Sequence, residues 1–401
     1  MTPSIDMHEA TRLTRLGRLT EALAILKGRP REDASAKEAP RQAKQPVSAL
    51  SNVRQRFMRG ADAPFAGGSD QVALAPSDGG REVEAGPREL RPAIDLGVWT
   101  GIRGRSAAPR IPEGARFEEA TFSNSSGSRQ YKLYVPSGSR EKAAALVVML
   151  HGCTQSPDDF AAGTGMNDLA EEEGFLVAYP AQPSSANASK CWNWFNSGDQ
   201  RRDQGEPSLI AGITRQVLAE FCVEEGRVYV AGLSAGGAAA AILGSAYPDL
   251  YAAIGVHSGL ACGAARDMPS AFAAMSQGAA ATSRRGFAKA VVPTIVFHGD
   301  NDRTVNPING DQVIAQSKAG AGLRVHKSSG ESAGKVAYSR TVHTDENDVP
   351  LLEQWVLHGA GHAWSGGRPA GSYTEPKGPD ASREMVRFFF QHSLAGHCQS
   401  R

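Results

Sequence analysis

Arg227-Val-Tyr-Val-Ala-Gly-Leu-Ser-Ala-Gly-Gly-Ala238 decides how the chain is read. Val228 to Ala231 reads as a short buried strand. It runs into Gly232-Leu233-Ser234-Ala235-Gly236, and a small-residue helix follows from Gly237 to about Tyr247. Gly-x-Ser-x-Gly between a strand and a helix is the setting of a nucleophile elbow, where a serine sits on a sharp turn with its hydroxyl clear of the sheet. Flanking glycines suit that turn because no Cβ crowds it. The N–H of Ala235, at the helix start, points to where an oxyanion would form. Alone the five-residue pattern is common. The β-rich run before it and Ala238, Ala239, Ala240, Ala241, Ile242 and Leu243 after it give it weight.

Three other stretches fall where such a serine needs help. Ala144-Leu-Val-Val-Met-Leu150 is a continuous apolar strand, the pattern of a parallel sheet covered on both faces. His151-Gly-Cys-Thr-Gln155 follows it directly. A loop there either makes an ordinary glycine turn or aims a second N–H, that of Cys153, at the same oxyanion. The strand Pro293 to Phe297 leads into His298-Gly-Asp-Asn-Asp-Arg-Thr-Val305. Asp300 and Asp302 could each hold a histidine ring; Asp302 is favoured because it lies deeper in the loop, where Val305 can pack back on it. In Leu357-His-Gly-Ala-Gly-His-Ala-Trp-Ser-Gly-Gly367, His362 follows a flexible Gly359/Gly361 corner. His358 competes but ends a strand. Ser234, Asp302 and His362 then stand in the chain order of an α/β-hydrolase. The expected chemistry is attack of Ser234 on an ester carbonyl, with His362 as base and an acyl-enzyme that water hydrolyses. It requires no metal or organic cofactor.

Outward from these motifs, elements alternate. Phe117–Phe122 and Arg129–Val135 read as a hairpin around Asn124-Ser-Ser-Gly127. A helix near Asn167–Glu173, a strand at Phe175–Tyr179 and a helix at Pro207–Phe221 follow. A strand at Ala253–Val256, a hairpin of Val336–Val342 with Leu351–Leu357 and a final helix at Ser382–His392 complete the set. Strands alternating with helices imply a doubly wound, mostly parallel α/β sheet with antiparallel leading strands. The domain is expected over 115–398.

The first 114 residues read differently. Asp6 to Lys27 carries Leu13, Leu16, Leu19, Leu23 and Leu26 at helical spacing and ends at Gly28, so 1–28 reads as an amphipathic helix. It would pack on the body or on a second subunit. Residues 29–114 are rich in Pro, Gly, Ala, Ser and charge, and read as a disordered linker, with a transient helix at Val47–Met58.

The bulk numbers exclude several classes. The 401 residues carry a net charge of +1 and 41% hydrophobic content. That supports a sizeable core and gives no reason to expect nucleic acid or an anionic membrane as partner. No apolar run reaches transmembrane length. The N-terminus shows no secretory signal, which points to the cytoplasm. Five cysteines with no Cys-x-x-Cys pair argue against a zinc site.

The motifs together resemble a known family. Leu150-His-Gly-Cys-Thr-Gln155, Cys191-Trp-Asn-Trp-Phe195, Val230-Ala-Gly-Leu-Ser-Ala-Gly-Gly237, Val256-His-Ser-Gly259, Phe297-His-Gly-Asp300 with Asp302, and Gly359-Ala-Gly-His-Ala-Trp-Ser-Gly-Gly367 are similar to those of the polyhydroxybutyrate depolymerase esterases, related to feruloyl and acetylxylan esterases. The resemblance runs from about Phe117 to His392. It implies a Ser234–Asp302–His362 triad, oxyanion donors from Cys153 and Ala235, and an ester substrate. It also implies a Cys153–Cys191 disulfide and, more weakly, a Cys222–Cys262 pair. Trp192, Trp194 and Trp364 either line an acyl groove near Ser234 or pack as core. Relatives are often secreted, with a signal and a polymer-binding domain not seen here, so an extracellular location stays open. Three functions remain: an esterase of hydroxyalkanoate or other short-chain esters, a feruloyl or acetylxylan esterase, and a non-catalytic scaffold of hydrolase shape.

Overall fold

The computed structural model describes residues 109–138, 143–224, 226–279, 291–318 and 322–394. The expected N-terminal helix (1–28), the linker up to 108, the transient helix at Val47–Met58 and Cys398 lie outside the described residues.

Ten strands form one sheet. The antiparallel hairpin of β1 (Arg116–Asn124) and β2 (Gly127–Val135) leads in, as the alternating pattern of both stretches requires. β3 (Leu146–Leu150), β4 (Leu176–Pro180), β5 (Val228–Leu233), β6 (Ala253–His257) and β7 (Thr294–Gly299) follow, all fully buried. β8 (Arg324–Glu331), β9 (Ala337–Thr344) and β10 (Pro350–Leu357) complete it. The spatial order is β1-β2-β4-β3-β5-β6-β7-β10-β9-β8. Every pairing from β4 through β10 is parallel, and antiparallel ribbons close both sides.

The buried strands are apolar along most of their length because both faces are covered, with polar side chains at Thr294, His257 and His298 near their ends. Successive side chains point to opposite faces, so β3 sends Leu146, Val148 and Leu150 to one core and Val147 and Met149 to the other. The first core receives α3 (Gly205–Glu220) through Ile210, Ile213 and Val217, and α4 (Ala235–Ala246) through its alanines and Leu243. The second receives α1 (Pro157–Thr164), α2 (Met166–Glu173) and α7 (Ala381–Phe389) through Phe160, Leu169 and Phe388. Two further helices, α5 (Met268–Gln277) and α6 (Ile308–Lys318), lie on the first side, with Ala271, Ala274 and Val313 in that core.

Of the elements named above, four were not foreseen: α1, α5, α6 and β8. β8 is exposed along nearly its whole length and lies at the sheet edge, so it carries little hydrophobic period to read. The functional loops all leave the carboxyl ends of adjacent parallel strands, where open α/β sheets place their sites.

Candidate active site

The elbow is built by exclusion of side chains. A Cβ on Gly232 would come within 2.6 Å of the Leu150 carbonyl oxygen, and one on Gly236 within 2.7 Å of that of His151. Only glycine lets α4 start this close to the end of β3. Ser234 therefore takes φ 57° and ψ −120°, outside the regions an L-residue ordinarily occupies. Its N–H donates to the His257 carbonyl at 2.9 Å, and its carbonyl accepts from Ala238 at 2.9 Å. The turn is thus tied to β6 on one side and to α4 on the other. Ala235 is the first residue of α4, and the first N–H groups of a helix have no acceptor within it.

Asp302 and His362 meet. His362 Nδ1–H donates to Asp302 Oδ2 at 2.6 Å, and the Asp302 side chain is wholly buried. Asp302 Oδ1 accepts the N–H groups of Thr304 and Val305 at 2.8 and 2.9 Å. Burial alone would push this carboxyl up. Hydrogen bonds from His298 and His362, the His362 charge and the Val305 N–H outweigh burial, and hold it far below the usual carboxylate range. An always-ionised Asp302 fixes the tautomer of His362 and leaves Nε2 as the base.

Asp300 and His358, the alternatives read from sequence, pair with each other. His358 Nδ1–H donates to Asp300 Oδ2 at 2.9 Å, and Gly359 N–H to Asp300 Oδ1 at 2.7 Å. They stitch the acid loop to the histidine loop, as do backbone bonds from Asp300 to Leu357 and from Asn301 to Ala360.

The loop after β3 is held by a polar network. Gly152 N–H donates to Gln155 Oε1 at 2.9 Å, and Gln155 Nε2 donates to Asp159 Oδ2 at 2.9 Å. His151 Nε2 accepts the Gln182 N–H at 3.1 Å, so Nδ1 carries the proton and donates to the Gly152 carbonyl at 2.8 Å. Burial lowers the pKa of His151 to about 4, which keeps it neutral. Cys153 is joined to Cys191 by a disulfide of 2.07 Å. This places Cys153 against the loop that carries Trp192 and Trp194.

An apolar pocket opens beside the serine. Cys153, Cys191, Trp194, Phe195, Ser234, Ala235, Leu260 and Met268 line it, with Phe272 of α5 at its rim. Trp194 lines the pocket, but Trp192 and Trp364 do not. Trp192 is fully buried, packs on the His151 ring and donates from Nε1 to the His151 carbonyl at 3.0 Å. Trp364 lies between the rings of His257 and Phe160 and donates from Nε1 to Ser382 at 3.0 Å. Both are core, because each indole N–H finds its partner inside. The Cys222–Cys262 pairing is also corrected. Both thiols are free, Cys222 exposed and Cys262 buried.

Sequence reasoning missed two histidines. His257 ends β6, and its Nε2 accepts the Ser365 N–H at 3.0 Å while its carbonyl anchors Ser234. It therefore joins the serine turn to the histidine loop. Burial, with the charges of His298 and His362, lowers its pKa to about 3, so it stays neutral. His298 Nε2–H donates to the Val305 carbonyl at 2.8 Å and lies 3.5 Å from Asp302 Oδ2, closing the acid loop. Both stand in quoted motifs, and their position at strand ends was the available signal. Among the described residues, no group of three or more His, Cys, Asp or Glu side chains could hold a metal ion.

The comparisons agree with this geometry. The chain folds like the acetyl xylan esterase from Aspergillus awamori, with a TM-score of 0.55 and 20% identity over 69% of this chain and 99% of that one. It is 34% identical over 253 residues to poly(3-hydroxyalkanoate) depolymerase C of Paucimonas lemoignei, covering 61% of this chain and 60% of the relative. It is 28% identical over 231 residues to the probable acetylxylan esterase A of Neosartorya fischeri, covering 53% of this chain and 61% of the relative. The chain thus spans about six tenths of the length of these curated relatives. The model of the esterase PHB depolymerase family matches residues 129–336, a span that holds Cys153, Cys191, Ser234 and Asp302. Fold, motifs and that match lead to one conclusion: the chain belongs to the esterase PHB depolymerase family.

Proposed function

We propose that this protein is a serine esterase of hydroxyalkanoate esters, in polymer or oligomer form, or of other short-chain esters. The observation that carries the reading is a serine strained on its elbow beside an apolar pocket, with a buried Asp302–His362 pair on the adjoining loops. The acyl group lies along Trp194 and Phe195. His362 Nε2 takes the Ser234 proton as Oγ attacks the ester carbonyl. The Ala235 and Cys153 N–H groups receive the oxyanion, and Asp302 stabilises the imidazolium. His362 returns the proton to the leaving alcohol. Water, activated by the same histidine, frees the hydroxy acid and restores Ser234. Relatives of both depolymerase and acetylxylan esterase name support a second reading, hydrolysis of acetyl or feruloyl esters of a polysaccharide.

The test is release of 3-hydroxybutyrate from amorphous polyhydroxybutyrate, with p-nitrophenyl butyrate in parallel, for wild type and Ser234→Ala. Cleavage of both, lost in the variant, supports the polyester reading. Cleavage of the small ester alone moves the substrate search to acetyl and feruloyl esters.

Compartment belongs to the same proposal. The cytoplasm and an exported location are the two compartments proposed, the second because a Cys153–Cys191 disulfide persists in oxidising surroundings. Fractionation with thiol counting decides between them. No described helix is long and apolar enough to cross a membrane.

A further inference from the structure

Glu206 is a buried carboxylate that the reaction does not use. It sits in the first turn of α3, and its side chain turns toward the loop that walls the Ser234 pocket. Four N–H donors converge on it. Oε2 accepts the Asn193 backbone N–H at 2.7 Å, and Oε1 accepts Asn193 Nδ2 at 2.7 Å, Gln182 Nε2 at 2.5 Å and Arg129 at 3.3 Å. Gln182 Nε2 also donates to the Cys191 carbonyl at 2.8 Å. Asn193 lies between Trp192, which braces the His151 carbonyl, and Trp194, which lines the pocket. One carboxylate therefore fixes the segment that carries Cys191, Trp194 and Phe195.

We propose that Glu206 is a positioning residue whose carboxylate clasps the 191–195 segment and thereby sets the acyl-chain-length selectivity of the Ser234 pocket. This rests on the esterase reading above.

The donor set demands the ionised form. Three N–H groups crowd Oε1, so a proton there breaks at least one of the bonds to Asn193, Gln182 or Arg129, and a proton on Oε2 removes the charge that strengthens all four. The charged neighbours are the Arg129 guanidinium on β2 and Asp199, whose Oδ1 accepts the Glu206 N–H at 2.9 Å. Burial and the Asp199 charge push Glu206 up to about 7, against the pull of Arg129 and the donated N–H groups. The clasp therefore loosens as pH falls through that value. The stability sign is opposite. A carboxyl raised on folding contributes most below its ordinary pKa and loses that contribution as pH rises through the folded value. Selectivity and this group's stability contribution thus move in opposite directions with pH, where a merely structural role would move them together.

The test uses the full chain, wild type and Glu206→Gln, with p-nitrophenyl butyrate and p-nitrophenyl acetate from pH 6 to 9. Rates are normalised to sites titrated with a fluorophosphonate. The butyrate-to-acetate ratio of kcat/KM cancels the protonation of His362, which affects both esters alike. In wild type the ratio falls as pH drops through about 7. In Glu206→Gln it is lowered roughly tenfold, the scale of a methylene contact in an apolar pocket, and is flat with pH. A wild-type ratio that is flat with pH, or a variant ratio equal to wild type, overturns the proposal. If the variant does not fold, the wild-type series decides alone. If wild type hydrolyses neither ester, the esterase reading fails separately. The clasp is then judged by tryptophan emission: a transition near pH 7 that Glu206→Gln lacks upholds it, and pH-independent wild-type emission overturns it.

Discussion

Two Asp–His pairs lie side by side, drawn from the same two loops. The inner pair, Asp302 and His362, is buried, with a hydrogen bond of 2.6 Å and side chains 0% and 7% exposed. The outer pair, Asp300 and His358, has a bond of 2.9 Å and side chains 41% and 42% exposed. The outer histidine even accepts a hydrogen bond from a serine, Ser339, at 2.8 Å. A hydrogen-bonded Ser–His–Asp chain therefore forms at Ser339, away from the elbow, so that such a chain alone does not make a catalytic site. Ser339 lies on β9, paired on both sides within the sheet, with no elbow and no helix start beside it. Ser234 has the strained turn, the helix N-terminus and the apolar pocket. Burial separates the two sets electrostatically as well. Water screens the outer pair, which is worth at most about 1 kcal/mol. The inner pair acts in a low dielectric, where a fixed carboxylate strongly favours the imidazolium.

This contrast can be broken or sharpened by substitution. Ser234→Ala is expected to lower kcat by about 10⁶-fold, as loss of the nucleophile does in serine-triad enzymes. Ser339→Ala, measured in the same p-nitrophenyl butyrate assay, is expected to change nothing. Asp302→Asn should cost about 10⁴-fold in kcat with little change in KM, because the histidine then takes the wrong tautomer. Its outer counterpart, Asp300→Asn, should cost less than about fivefold, matching the small worth of an exposed pair. Equal losses in the two asparagine variants would erase the distinction drawn here.

pH sharpens it further. Asp302 is held far below the ordinary carboxylate range, so it stays ionised wherever the protein is folded. Asp302 should therefore add no step to the acid limb of kcat/KM. A depressed folded pKa contributes stability that is present above the unfolded value and is lost as pH falls through the folded one. Asp302→Asn should accordingly lose stability relative to wild type at neutral pH, with the gap closing in strong acid, as followed by thermal melts. An effect far smaller than that of either triad substitution is expected at the disulfide. Cys191→Ser should leave the triad intact and lower kcat/KM for p-nitrophenyl butyrate about tenfold or less, through looser placement of the Cys153 loop and Trp194.

The elbow was legible because its chemistry forces its sequence. Gly232 and Gly236 are required by backbone that approaches within bond-forming crowding of any Cβ, and a buried strand must precede them. The same holds for the parallel strands, apolar on both faces. The choice of Asp302 over Asp300 rested on loop depth, which tracks burial, and burial is what separates the two pairs. The missed elements lacked such forcing. β8 is solvated at a sheet edge, and α5 and α6 bury few side chains apiece. The tryptophans were ambiguous because an indole suits either a core or a groove. Their N–H partners, His151 and Ser382, lie 41 and 18 residues away in sequence, beyond any local pattern. The roles of His257, His298 and Glu206 were hidden for the same reason: each acts through partners that only the fold brings near.

The most direct test is covalent labelling. The full chain is treated with a fluorophosphonate, and the adduct is located by intact mass and peptide mapping. One adduct per chain on Ser234, absent from Ser234→Ala, is the expected result. Labelling of Ser339 at a comparable rate, or none at Ser234, would contradict the claim that elbow and burial select the catalytic set.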